Sequence, residues 1–303
     1  MKSFHKSFRT PSFLALAVAA ALAGCAATQD AGHSAMNMVK SATGQAQVVR
    51  QDVAPALYQV AYSPSENVVY AVSAGNPKDP ASGVKSKLFK LDPETLAVKA
   101  EIELPKPGYG LTLDDEAHRL YIVDTRGGTL MVYDTTLGQV TSSVTMPPVL
   151  DAQGKPEKIE YREIVVDKAN NRLYLPAMSY HDSKLQVVNL DTLTVERTIP
   201  GFNFGATGIS MDSGAGKLYV SNLMGQLFVV DIGTLAITDR FEVQGDQLLN
   251  LVVDHDNKRL LAVDQGFDRL DVVRKERGGL NYQTRTQGNQ VLALDPSSGK
   301  VLQ

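Results

Sequence analysis

The chain has 303 residues, 43% of them apolar, with 30 Lys and Arg against 33 Asp and Glu. That is enough apolar content for a sizeable core, and a formal net charge of −3 creates no overall field to steer the chain to nucleic acid or anionic lipid. A single cysteine excludes an internal disulfide and a thiolate metal cluster.

In chain order, residues 1–24 stand apart. Lys2, Lys6 and Arg9 form a basic stretch, and the apolar run Phe13 to Ala23 follows. That run is shorter than the ~20 residues a membrane-spanning helix needs. It ends in Leu22-Ala23-Gly24-Cys25, which resembles the signal box of bacterial lipoproteins. The resemblance implies that Cys25 is acylated and becomes the mature N-terminus. Ala26 and Ala27 come next, where an Asp would favour inner-membrane retention, so the implied destination is the outer membrane, facing the periplasm. Cleavage would remove three positive charges and no negative one, moving the net charge from −3 to −6. Residues 25–55 are expected to be the lipidated Cys and a flexible tether, and 56–303 the folded part.

From Leu57 onward one pattern is written five times. Each unit opens on a short apolar run: Leu57 to Ser63, Gly108 to Asp114, Tyr161 to Asp167, Ala206 to Asp212 and Leu248 to Asp254. A polar turn follows, then a second apolar run at Val69-Tyr70, Leu120-Tyr121, Leu173-Tyr174, Leu218-Tyr219 and Leu260-Leu261. A third anchor pairs an apolar residue with Asp: Leu91-Asp92, Tyr133-Asp134, Leu190-Asp191, Val230-Asp231 and Leu294-Asp295. The openings are 51, 53, 45 and 42 residues apart. A period of about 40–50 residues made of short strands and turns predicts an all-β propeller of four-stranded blades. Helical periodicity is absent after residue 55.

Leu218-Tyr219-Val220-Ser221-Asn222 resembles the Tyr-Val-Thr-Asn signature of YVTN β-propeller repeats, and Leu120 to Asp124 is a looser copy. The order of repeats from Tyr58 to Leu302 is similar to the bacterial periplasmic propellers called YncE-like. Seven blades are typical of that family, whereas five units are visible here. The resemblance therefore implies a truncated seven-bladed propeller whose C-terminal blades are missing. The alternative is a five-bladed ring in which Gln47 to Val53 supplies the last strand.

Propeller ligands generally dock where the first strand of each blade begins. Threading the repeats onto that geometry aligns Tyr58, Tyr109, Arg162, Thr207 and Leu249, then Gln59, Gly110, Glu163, Gly208 and Asn250. The ends of the second strands add Ser73, Asp124, Ala177, Asn222 and Asp264. Arg162 and Glu163 are the outliers, because no other unit is charged there. They read either as charges that pair with each other or with neighbours to satisfy the channel mouth, or as ligand contacts, together with Tyr109 and Asn250. An insertion in the fifth unit, Gln265 to Gly288, carries Arg274, Lys275, Arg277 and Arg285 with Tyr282 among them. Guanidinium groups interleaved with an aromatic ring suit an anionic partner, single-stranded nucleic acid included.

No catalytic motif, cofactor motif or metal-ligand spacing is visible. The histidines of the folded part, His118, His181 and His255, fall at different repeat positions, and Asp254-His255-Asp256-Asn257 departs from a calcium loop at Lys258. The expectation is a lipid-anchored periplasmic propeller that binds a small-molecule or protein ligand as a scaffold, without catalysis. One alternative is a lactonase-like hydrolase with Glu163 as general base and Arg162 stabilising an oxyanion. The other is nucleic-acid or anion binding through the fifth-unit insertion, with the membrane reached through the lipid alone.

Overall fold

In the computed structural model of the chain, the residues described are 37–39, 48–76, 78–266, 285–286 and 288–302. Cys25, Arg274, Lys275, Arg277 and Tyr282 lie outside them. The strands β1 (Asn37–Val39) and β2 (Val48–Arg50) pair with each other. Gln47 to Val53 therefore does not complete the fifth blade. The packed part also begins before residue 56: Val53 and Ala54 lie on Ala71, Phe89 and Leu91, and Ser73 Oγ donates to the Pro55 carbonyl at 2.7 Å.

Blade one is β3 (Leu57–Ser63), β4 (Val68–Ser73), β5 (Lys87–Leu91) and β6 (Val98–Glu103). Blade two is β7 (Gly110–Asp114), β8 (Arg119–Val123), β9 (Thr129–Asp134) and β10 (Gln139–Thr145). In blade three the inner strand is broken into β11 (Glu160–Tyr161) and β12 (Val165–Asp167), followed by β13 (Arg172–Met178), β14 (Lys184–Asn189) and β15 (Val195–Ile199). Blade four is β16 (Ala206–Asp212), β17 (Lys217–Asn222), β18 (Gln226–Asp231) and β19 (Ala236–Glu242). Blade five has β20 (Leu248–Asp254), β21 (Arg259–Asp264) and β22 (Gln290–Leu294), and a bridge from Leu294 to Val301 starts its fourth strand. Every sheet is an antiparallel meander. Among the described residues the only helical turn is 3₁₀, at Pro80–Ser82.

Local chemistry explains the repeat. Between the first and second strands, a tight turn ends on a residue with positive φ: Asn67, His118, Asn171, Gly216 or Lys258. Such a left-handed residue closes a hairpin loop with the twist the strands need. Between the third and fourth strands, a carboxylate or amide oxygen accepts backbone N–H bonds two or three residues on, as Asp92 does from Glu94 and Thr95 at 3.1 and 2.9 Å. Asp134, Asp231 and Asp295 repeat this. In blade three the turn starts at Asn189, so the anchor is Val188-Asn189 rather than Leu190-Asp191.

The middle strands are apolar on both faces because each blade is sandwiched by its neighbours. Four cores result, between blades one and two, two and three, three and four, and four and five. The outward faces of the first and fifth blades leave Val60 and Tyr62 62% and 52% exposed, and Val252 and Val291 54% and 62%.

At the axis the blades join in two alternating ways. Gln59 Oε1 of blade one accepts the Leu111 N–H of blade two at 2.8 Å, and Glu163 Oε2 of blade three accepts the Ile209 N–H of blade four at 2.8 Å. The even blades carry glycine at this position. A Cβ on Gly110 would stand 2.8 Å from the Arg162 carbonyl oxygen, and one on Gly208 2.8 Å from that of Leu249. A side chain bridges one junction, and the next brings the backbones together.

Candidate functional site

The inner strands begin at a common mouth, and four of the five are irregular there. Leu57 pairs with Ser73 but Gln59 with Val72, Ala206 with Asn222 but Ile209 with Val220, and Leu248 with Asp264 but Leu251 with Ala262. In blade three Tyr161 faces Ala177 and Val165 faces Tyr174. One extra residue on the inner strand each time is a β-bulge, a device that re-aims side chains. Blade two stays regular from Gly110 opposite Val123.

In blade three the bulge sends Arg162 and Glu163 to different partners. Arg162 Nη2 donates to Glu160 Oε2 at 2.6 Å, and its Nη1 reaches the Tyr58 hydroxyl of blade one at 3.4 Å. Tyr58 meets Tyr109 of blade two edge to face, ring centres 5.1 Å apart. Three blades thus converge on one guanidinium. Burial pulls Arg162 down, but Tyr58 and Glu160 more than offset it and leave its pKa above the ordinary value. Burial raises Tyr109, whose hydroxyl also feels Arg126, Arg162, Asp124 and Glu160. The buried Arg162 Nε has no hydrogen-bond partner among the described residues.

Glu163 is only 4% exposed. It accepts from Ile209 N–H and from the Asn250 side-chain amide. Burial pushes its carboxyl up to about 8, against the pull of those two donors. Glu163 and Asn250 therefore form a pair beneath the mouth that joins blades three, four and five, while Tyr109 stands with Arg162. Of the two pairings expected, the one with neighbours is found: Arg162 pairs with Glu160 and Glu163 with Asn250, not with each other.

The residues at the ends of the second strands are not channel contacts. Asp124 Oδ1 accepts from Arg126 N–H at 3.0 Å, Asn222 Oδ1 from Met224 N–H at 3.0 Å and Asp264 Oδ1 from Gly266 N–H at 2.9 Å. Ser73 Oγ accepts from Gly75 N–H at 3.2 Å. All four are buried caps of the loop between second and third strands. Arg285, the described cation of the fifth-unit insertion, donates to the Val243 carbonyl and Glu242 Oε2, each at 2.7 Å. It fastens the insertion to blade four.

Tyr58 stands at the register position shared with Tyr109 and Arg162 although it was not among the expected contacts, and Glu160 was not expected at all. Glu160 lies two residues before Arg162, the spacing that puts side chains on one face of a strand, and that signal was available. Among the described residues no three His, Cys, Asp or Glu side chains gather as a metal site.

No family model matches the chain. It is 24% identical over 261 residues to the uncharacterized protein YncE of Salmonella typhimurium, covering 84% of this chain and 72% of the relative. With the YncE of Salmonella typhi the identity is 26% over the same coverage. Among solved structures it resembles the Cps50 (Swd1) β-propeller domain of Myceliophteria thermophila, at a TM-score of 0.52 and 12% identity, covering 77% of this chain and 66% of that one. The chain is a β-propeller whose repeats are similar to those of YncE proteins over most of its length.

Proposed function

We propose that the chain is a lipid-anchored periplasmic propeller that binds a ligand or protein partner at the mouth of its inner strands, as a scaffold without chemistry of its own. The observation that carries this is the convergence of Tyr58, Tyr109, Glu160 and Arg162 from three blades. The Tyr58 and Tyr109 rings beside the guanidinium offer a platform for an apolar or flat group. The anchor rests on Cys25 and the preceding signal-like run. Glu163, the candidate general base, is occupied in joining blades, which favours binding over hydrolysis.

The test is retention from periplasmic extract on the immobilised chain, wild type beside Arg162→Ala and Tyr58→Ala. A partner held by the wild type and lost by both variants supports the reading, and equal retention by all three defeats it. Turnover of glucono-δ-lactone above buffer, abolished in Glu163→Gln, would put the hydrolase in its place. Incorporation of labelled palmitate that disappears in Cys25→Ala tests the anchor.

A further inference from the structure

At the end of the strands away from the mouth, a cavity of ≈ 590 Å³ opens between blades four and five. Its volume lies within the range of small-molecule sites. Tyr219, Val229, Phe241, Val253 and Leu260 give it an apolar wall.

Tyr219 occupies a repeated position, and two of its three tyrosine counterparts are satisfied by the protein's own carboxylates, while the third, Tyr121, lies beside Arg119. The Tyr70 hydroxyl donates to Glu66 at 2.9 Å, and the Tyr174 hydroxyl donates to Asp167 at 3.0 Å. Asp212 takes the place of Asp167 in blade four. It instead accepts from Ala215 N–H at 3.0 Å and faces His255 Nδ1 at 3.9 Å. Among the described residues the Tyr219 hydroxyl makes no hydrogen bond and is not sealed from solvent.

The charges around the cavity differ in how far they are used. Asp254 is paired with Arg259 at 2.7 Å, and Asp239 accepts from Thr238 Oγ1 at 2.8 Å. Lys217 and Lys258 also line the cavity, and among the described residues neither has a carboxylate within ion-pair distance. The site therefore offers one unused hydroxyl donor and two cations beside an apolar wall, and burial together with the nearby Asp212 carboxylate raises the Tyr219 hydroxyl's pKa.

We propose that this cavity binds a small monocarboxylate with an apolar body. The ligand's carboxylate takes from Tyr219 the hydrogen bond that Glu66 and Asp167 take in blades one and three. Lys217 and Lys258 balance its charge, and its body rests on Val229, Phe241 and Val253. The site is separate from the mouth and does not depend on the function proposed there.

The probe is phenylacetate titrated into the full chain, followed by methyl NMR, with neutral phenylacetamide as control. The expected result is saturable shifts of the Val229, Val253 and Leu260 methyls at about millimolar concentration. Phenylacetamide and the Tyr219→Phe variant should each bind at least about tenfold more weakly, the loss of a hydrogen bond to a charged group. Lys217→Ala with Lys258→Ala, both surface changes, should also weaken binding, and this variant decides the matter if Tyr219→Phe does not fold. Arg162→Ala should bind phenylacetate as the wild type does. Absence of shifts at about 10 mM, equal binding of the amide, or unchanged binding in Tyr219→Phe or the lysine variant overturns the proposal.

Discussion

Arg162 and Glu163 are adjacent in the chain yet tie different blades, the first reaching Tyr58 of blade one and the second Ile209 of blade four. The bulge between Tyr161 and Val165 makes this divergence. A guanidinium is left at the mouth and a carboxyl is sealed beneath it.

The sealed carboxyl gives a pH dependence of definite sign. Glu163 titrates at about 8 when folded, above the ordinary 4.5. Between those values the folded state holds more protons than the unfolded one, so stability falls as pH rises through the window. Glu163→Gln keeps an acceptor for Ile209 N–H and carries no charge. It should stabilise the protein at pH 9 by about 2–5 kcal/mol and leave it nearly unchanged at pH 4. Urea midpoints at the two pH values check this, and parallel curves for both proteins would refute it.

The two glycines at the axis should be intolerant of a methyl group. Gly110→Ala and Gly208→Ala each set a Cβ 2.8 Å from a backbone oxygen of the next blade, and should cost about 1–3 kcal/mol. Gly214→Ala, whose Cβ would meet nothing closer than 3.4 Å, should stay within about 0.5 kcal/mol. Chemical denaturation of the three variants ranks them.

The repeated tyrosines should separate by partner. Tyr70→Phe and Tyr174→Phe each strip a donor from a carboxylate and should cost about 1–2 kcal/mol. Tyr219→Phe removes no such bond and should change stability by less than about 0.5 kcal/mol. A thermal melt of each resolves the order.

The outward faces of the end blades should be neutral for folding and unfavourable for solubility. Val60→Thr and Val291→Thr alter side chains that are each 62% exposed, so stability should move by about 0.5 kcal/mol or less. Self-association measured by sedimentation should fall, because contiguous exposed apolar surface promotes contact between molecules.

Much of this architecture was legible in the sequence. Ala206–Asp212 and Leu248–Asp254 are strands with the bounds their apolar runs gave, because an inner strand packed on both sides must be apolar throughout. The site was less legible, since one extra residue at a bulge redirects the side chains after it. Strand alternation already turns Arg162 and Glu163 to opposite faces, and what the bulge hides is which neighbours each then meets. The caps Asp124, Asn222 and Asp264 looked like channel residues, although each precedes by two the N–H it binds. That Asx-turn spacing is a local signal. The repeat register put Tyr58 level with Tyr109 and Arg162, and only its contact with Arg162 across blades one and three needed the folded chain.

The alternation of side-chain acceptor and glycine along the axis also bears on how such a chain can be rearranged. Deleting blade two would bring Gln59 against Glu163, two acceptor-bearing positions meeting where one N–H had been matched to one oxygen. Deleting blade three would set Gly110 beside Gly208 and leave the seam without its strap. A rearrangement that keeps each oxygen matched to one N–H would have to move two blades at a time.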